Sequence, residues 1–191
     1  MSAFRTIEWV DGRVRMLDQR YLPHRTIYNE YTDYREVAEA IHNMVIRGAP
    51  ALGAAAAFGM ALVPFHIHSN DVGVVQKELQ VAAETLRQAR PTAVNLFWGI
   101  DRVLNRLADP GLNSVDAMRQ AALEEAQGIA QEDVRINKKL GMNALELIPD
   151  HATIIHHCNT GALAAVDYGT ALGVIRTAHE NGKDVFVLVD E

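Results

Sequence analysis

Hydrophobic and polar positions alternate along Phe4-Arg5-Thr6-Ile7-Glu8-Trp9-Val10, and a second run, Arg13-Val14-Arg15-Met16-Leu17, comes directly after Asp11-Gly12. A period of two marks a strand with one face buried, and Asp-Gly supplies the positive φ angles of a tight hairpin. A β-hairpin is therefore predicted near the start of the chain. Tyr21 to Tyr31 shows no period, contains Pro23 and reads as irregular.

The period then becomes helical. Thr32 and Asp33 offer caps, Glu36 completes a capping box with Asp33, and Val37, Ala40, Ile41 and Met44 share one face. Pro50 marks the start of the next helix, where its missing N–H costs little. That helix is filled with Gly53, Ala54 to Ala57 and Gly59, small residues that permit close helix approach. His66 to Asp71 reads as a loop and Val72 to Gln88 as an amphipathic helix. Pro91 or Thr92 starts another, ending near Leu107 before Asp109-Pro110-Gly111. Asn113 and Ser114 cap a long segment striped by Val115, Met118, Ala122 and Ile129; Glu132 to Ile148 continues it or comes after a kink.

After Pro149-Asp150 the pattern changes again. Ala152-Thr153-Ile154-Ile155-His156 and Asp184-Val185-Phe186-Val187-Leu188-Val189 read as buried strands, with Gly161 to Ala165 and Tyr168 to Asn181 as helix between them. Strand, helix and strand in that order form a parallel βαβ unit. The expected fold class is α/β. A small N-terminal β-hairpin and helical domain occupies residues 1–112. A linking helix and the start of a Rossmann-like parallel-sheet domain occupy residues 113–191. Two parallel strands do not make a viable sheet, because both faces and both edges need cover. Further strands are expected, from another polypeptide or from a longer form of this chain.

Composition narrows the class. With 49% apolar residues the chain is too apolar for disorder, and its single cysteine, Cys158, rules out an intramolecular disulfide. Net charge is −6 with no cluster of Lys and Arg, which argues against nucleic acid and against an anionic membrane surface. Small anions stay possible, since one or two placed arginines suffice. Met1 to Trp9 lacks the cationic end and apolar run of a targeting signal. Ala49 to Phe65, rich in Ala and Gly and holding Pro50 and Pro64, falls short of a membrane span. The expectation is a soluble protein of a reducing, cytoplasmic compartment.

Three segments carry chemistry. Arg47-Gly48-Ala49-Pro50 sets a guanidinium and a glycine before a helix start, an arrangement suited to a phosphate; the alternative is a surface arginine before a buried helix. His156-His157-Cys158-Asn159-Thr160-Gly161 lies where a parallel strand ends, the place at which open α/β sheets bind ligands. A cysteine at a helix N-terminus favours thiolate, and Asn159 and Thr160 can cap that helix or reach a ligand. The alternative is an inert buried thiol. Arg90-Pro91-Thr92-Ala93-Val94-Asn95 places a second arginine before a helix start, or a partner for the dipole of the preceding helix. Asp190 and Glu191 end the second strand and can face the same crevice. Neighbouring residues leaving a strand point to opposite faces, so His156, His157 and Cys158 make a poor metal set. His66 and His68 read as solvated. No dinucleotide or P-loop signature is present.

These segments resemble the methylthioribose-1-phosphate isomerase family, which shares its superfamily with regulatory subunits of the exchange factor for translation initiation factor 2. The likeness rests on Ile46-Arg47-Gly48-Ala49-Pro50-Ala51, on Arg90 to Leu96, on Cys158-Asn159-Thr160-Gly161-Ala162-Leu163-Ala164 and on Tyr168 to Val174. Val166-Asp167 departs modestly from the smaller residues expected before Tyr168. The likeness runs along the whole chain but corresponds to the N-terminal half of longer relatives. It implies an aldose–ketose isomerase acting on 5-methylthioribose 1-phosphate. Cys158 would be catalytic, and Arg47, Gly48, Ala49 and Arg90 would hold the substrate, with Asn159, Thr160, Gly161 and Asp190 lining the site. No metal or organic cofactor is implied. The resemblance also implies a homodimer, and an acid/base aspartate in the half this chain does not span. A non-catalytic scaffold, or an isomerase of a related pentose phosphate, is the other reading.

Overall fold

A computed structural model of the chain describes residues 4–190. The expectations for Met1 and Glu191 lie outside the described residues.

The predicted hairpin is present: β1 (Ile7–Val10) and β2 (Arg13–Leu17) pair antiparallel across Asp11-Gly12, with φ of 48° and 81° at the turn. A third strand, β3 (Tyr28–Tyr31), joins the far edge of β2 within the segment read as irregular. Its polar and aromatic side chains are at most half-buried, so no alternation betrays it.

Helix α1 (Tyr34–His42) starts on the predicted capping box of Asp33 and Glu36. It ends earlier than the apolar face suggested. Met44 lies past its end, at φ 60° and exposed. Helix α2 (Ala49–His66) is the centre of the molecule, buried without interruption from Ala51 to Pro64. It has the length of a membrane span, with a mean hydropathy of 1.4, but 78% of it is buried inside the protein. Its apolarity is therefore that of a core helix. Its last residue, His66, is not merely solvated: Nε2 lies 2.9 Å from the Gly12 carbonyl.

Helices α3 (Val72–Ala89), α4 (Val94–Leu107) and α5 (Val115–Ala144) surround α2. The α2–α4 crossing is tight because a Cβ on Gly99 would fall 2.3 Å from the Gly53 carbonyl oxygen. Ser114 caps α5, which runs without a break to Ala144. Its first half buries Val115, Met118, Ala122, Ala126 and Ile129 in the helical core, while Gly141 in its last turn lies against Thr177.

Strands β4 (His151–His157) and β5 (Asp184–Asp190) are parallel, as expected for a βαβ unit, with α6 (Ala171–Glu180) between them. Two expectations fail here. The strands are not buried: Ile155, Phe186 and Leu188 stand exposed, because α6 covers only one face of the pair. The connection is not helical from Gly161 onward. Only a 3-10 turn, Ala162–Ala164, forms before Ala171. Tyr168 at φ 54° and a bridge between Gly161 and Gly169 fold the chain back on itself instead.

Candidate active site

Strand β4 delivers Cys158 to the carboxyl end of the small sheet. The residue adopts φ 72°, and its N–H donates to the Asp190 carbonyl at 3.2 Å, so the strand ends there. Left-handed backbone at a non-glycine residue is uncommon and costs of order 1–3 kcal/mol. Here it turns the thiol, which is exposed, out of the strand. Cys158 does not stand at a helix N-terminus as expected, because α6 begins only at Ala171.

Thr160 organises the loop beyond the thiol. Its hydroxyl oxygen accepts the Leu172 N–H at 2.8 Å, capping α6 from outside the helix, and lies 2.6 Å from Nε2 of His156. Its carbonyl accepts the Thr170 N–H at 2.8 Å. His156 is buried, and its Nδ1 has no hydrogen-bond partner. His157 points the other way, with Nδ1 2.9 Å from the Asp190 carboxylate across the strand pair. Among the described residues, no group of three His, Cys, Asp or Glu is arranged for a metal ion.

The segment after Gly161 is held by residues far away in sequence. Thr6 Oγ1 donates to the Ala162 carbonyl at 2.7 Å, and Gln19 Nε2 donates to the Leu163 carbonyl at 2.7 Å. The Val166 N–H donates to the carboxylate of Asp133 at 2.9 Å; burial pushes the proton affinity of that carboxyl above the ordinary range. Gln19 is itself fixed by the short turn that Asp18 caps. The carboxylate of Asp18 accepts from Arg20 and Asn29, and the Arg20 contact holds it below the usual carboxylate range.

Gly48 completes the join. At φ 98° it packs on Ala164 so closely that a Cβ would lie 2.3 Å from the Ala164 Cα. That contact brings Arg47 to the strand ends. Arg47, Cys158, Asn159, Thr160 and Asp190 line one cleft of about 480 Å³, together with His156, Leu163, Leu172 and Val189. Gly161 is buried behind it, and Ala49 is the first, exposed residue of α2. Arg90 is placed differently. It caps the C-terminus of α3, and Nη1 lies 2.8 Å from the sulfur of Met44, outside the cleft lining. The apolar wall of Leu163, Leu172 and Val189 was not expected from sequence, whereas His156 ends a strand read as buried and is buried.

The arrangement offers an exposed thiol and a guanidinium facing a cleft that is apolar on one side and polar on the other. Such a cleft suits a small anionic molecule with an apolar tail. A larger cavity, about 520 Å³, lies by the N-terminal hairpin and is lined by no Cys, Ser or Thr.

The chain is similar to known proteins in sequence and in fold. The chain is 50% identical over 191 residues to methylthioribose-1-phosphate isomerase of Synechococcus sp., covering all of this chain and 55% of that protein. It is 51% identical over 191 residues to methylthioribose-1-phosphate isomerase 2 of Pseudothermotoga lettingae, covering 54% of it. The chain thus spans about half the length of the curated relatives it matches. Two crystal structures superpose closely. One is described as translation initiation factor eIF-2B, subunit delta, from A. fulgidus, with 43% identity, a TM-score of 0.88 and coverage of 98% of this chain and 54% of that one. The other is 5-methylthioribose 1-phosphate isomerase from Pyrococcus horikoshii, with 33% identity, a TM-score of 0.89 and coverage of 97% and 60%. The model of the initiation factor 2 subunit family matches residues 45–191, a stretch that contains Arg47, Arg90 and the whole strand-end loop, and the chain belongs to that family.

Proposed function

We propose that this chain is the substrate-gripping part of an aldose–ketose isomerase that converts 5-methylthioribose 1-phosphate to 5-methylthioribulose 1-phosphate. The observation that supports this most is the meeting of Arg47 and Cys158 in one cleft. The relatives at about 50% identity carry the same activity in their names.

The chemistry fits the cleft. The substrate is a furanose locked by its anomeric phosphate. The C1–O4 bond breaks and O4 takes a proton. The hydrogen on C2 moves to C1, and the C2 hydroxyl loses its proton as C2 becomes the carbonyl, which balances the proton that O4 gains. Arg47 holds the phosphate, with the backbone of Gly48 and Ala49 beside it. Arg90 joins it by leaving Met44. Cys158 stands at the reacting carbons, and Asn159, Thr160 and Asp190 face the sugar hydroxyls. Leu163, Leu172 and Val189 exclude water on the methylthio side, which protects a charged intermediate. The resemblance places an acid/base aspartate in the part of the relatives that this chain does not span. The 191-residue chain alone is therefore expected to be inactive, and the full-length form to be a cytoplasmic homodimer. Residues 1–112 would act as the gripping domain and residues 113–191 as the start of the catalytic one.

A second reading has its own support: a close structural neighbour is described as an initiation factor subunit. On that reading the cleft binds a ligand without turning it over. The experiment is an assay of the full-length gene product with methylthioribose 1-phosphate, ribose 1,5-bisphosphate and 5-deoxyribose 1-phosphate. Turnover of the first that disappears in Cys158→Ser supports the isomerase. Preferred turnover of another pentose phosphate moves the substrate, and no turnover of any favours the scaffold.

A further inference from the structure

The cavity of about 520 Å³ beside the N-terminal hairpin has no part in the proposed isomerase reaction. It lies between β1 and the middle of α5. Trp9, Phe58 and Val166 form its apolar floor. Phe58 is buried; Trp9 is half-buried and stacks on it with ring centroids 6.2 Å apart.

The rim is cationic. Arg5, Arg135 and Lys138 line it, and all three are exposed. Among the described residues none of them forms an ion pair, and Lys138 has only the Tyr168 ring, 5.8 Å from its ammonium. Two carboxylates lie close, Glu8 in the lining itself and Glu132 near Arg135, and each is hydrogen-bonded to another arginine. Glu8 accepts from Nε of Arg15 at 2.9 Å, and Glu132, one turn before Arg135, accepts from Arg102 at 2.6 Å. In a chain of net charge −6, a lining of three cations and one carboxylate, Glu8, is a local excess of positive charge. Low-dielectric walls focus such a field onto whatever enters. The volume is that of a small-molecule site.

We propose that this cavity binds a small anion with a flat apolar body, an aryl phosphate in its simplest form. The ring lies against Trp9 and Phe58, and the oxyanion sits between the Arg5 and Arg135 guanidinium groups with Lys138 above. Two forked donors suit a phosphate better than a point charge. The assignment is independent of the isomerase reading, because it shares no residue with the Cys158 cleft.

The test is calorimetric titration of the full-length gene product with phenyl phosphate, inorganic phosphate and phenol. Phenyl phosphate is expected to bind about tenfold or more tightly than either half of it, with an affinity that falls as salt rises. Arg5→Gln and Arg135→Gln alter exposed side chains, leave the fold intact and should each weaken binding about tenfold. Arg47→Ala removes the cation of the other cleft, so any binding lost there is assigned to that cleft, and the component that Arg5→Gln and Arg135→Gln weaken should persist in it. The proposal is overturned if phenyl phosphate fails to bind, or binds no better than inorganic phosphate or phenol. It is overturned equally if Arg47→Ala abolishes binding while the Arg5 and Arg135 variants retain it.

Discussion

Gly48 and Ala164 touch backbone to backbone, and a methyl group on Gly48 would fall 2.3 Å from the Ala164 Cα and 2.4 Å from its carbonyl oxygen. This contact unites a loop of the helical core with the loop after Cys158. It also fixes how far Arg47 stands from the thiol.

Gly48→Ala should therefore be costly twice over. The side chain meets backbone rather than a movable side chain, and it must adopt φ 98°. Together these are expected to remove about 2–4 kcal/mol of stability. Urea unfolding of Gly48→Ala against wild type measures it. An unchanged midpoint would show that the two loops do not meet as described.

Cys158 is the opposite case. Its left-handed backbone suits glycine, and its side chain is exposed. Cys158→Gly should leave unfolding stability unchanged or raise it by up to ~1 kcal/mol. The same substitution should abolish isomerase turnover by the full-length protein. Stability unharmed with function lost would identify the thiol as kept for chemistry. A destabilised Cys158→Gly protein would mean that its side chain packs.

Arg47 separates binding from chemistry. It lines the cleft and is exposed. If Arg47 grips the phosphate as proposed, Arg47→Ala removes a charge-assisted contact worth about 1.5–3 kcal/mol, or roughly tenfold to a hundredfold in kcat/KM. The loss should appear mainly in KM, since the phosphate is present in both ground and transition states. A loss confined to kcat would place Arg47 at the reacting carbons instead.

Local signals were legible because local chemistry determines them. Asp11-Gly12 dictates the hairpin, and Asp33 with Glu36 starts α1. The run Ala162-Leu163-Ala164-Ala165 looks helical by propensity. The Gly161–Gly169 bridge and the bonds from Thr6 and Gln19 override that preference. Those bonds span 156 and 144 residues, a separation at which no periodicity exists to read. The site divides in the same way. Strand-end logic located Cys158, Thr160 and Asp190 by their neighbours in sequence. The parking of Arg90 on Met44 comes only from how the helices pack.

The Asp18–Arg20 pair gives the fold a pH dependence. Arg20 donates to the Asp18 carboxylate through Nε at 2.9 Å and Nη2 at 2.7 Å. The bond from Arg20 lowers the carboxyl's proton affinity, so the folded state binds that proton more weakly than the unfolded state does. Its contribution is then complete above the ordinary carboxylate range, near pH 4, and fades as pH falls through the depressed folded value. Asp18→Asn should cost about 1–3 kcal/mol at neutral pH. The gap to wild type should close on acidification below about pH 4. A gap of constant size from neutral to acid would show that the carboxylate charge contributes nothing. The same variant should loosen Gln19 and with it the Leu163 carbonyl.

One face of the β4–β5 pair carries Ile155, Phe186 and Leu188 at 78%, 64% and 49% exposure. The register sets Thr153 beside Phe186 and Ile155 beside Leu188, so the three form a continuous apolar patch. Water-facing patches of this kind drive association. The 191-residue chain is therefore expected to self-associate with rising concentration, and Phe186→Lys to suppress this by placing a charge in the patch. In the full-length protein, where this face is expected to be covered, Phe186→Lys should cost about 3 kcal/mol or more, as burying an unpaired charge does. Sedimentation velocity on the short chain and urea unfolding on the long form read the two effects. If Phe186→Lys leaves both unchanged, neither a second copy nor the remainder of the protein uses this face.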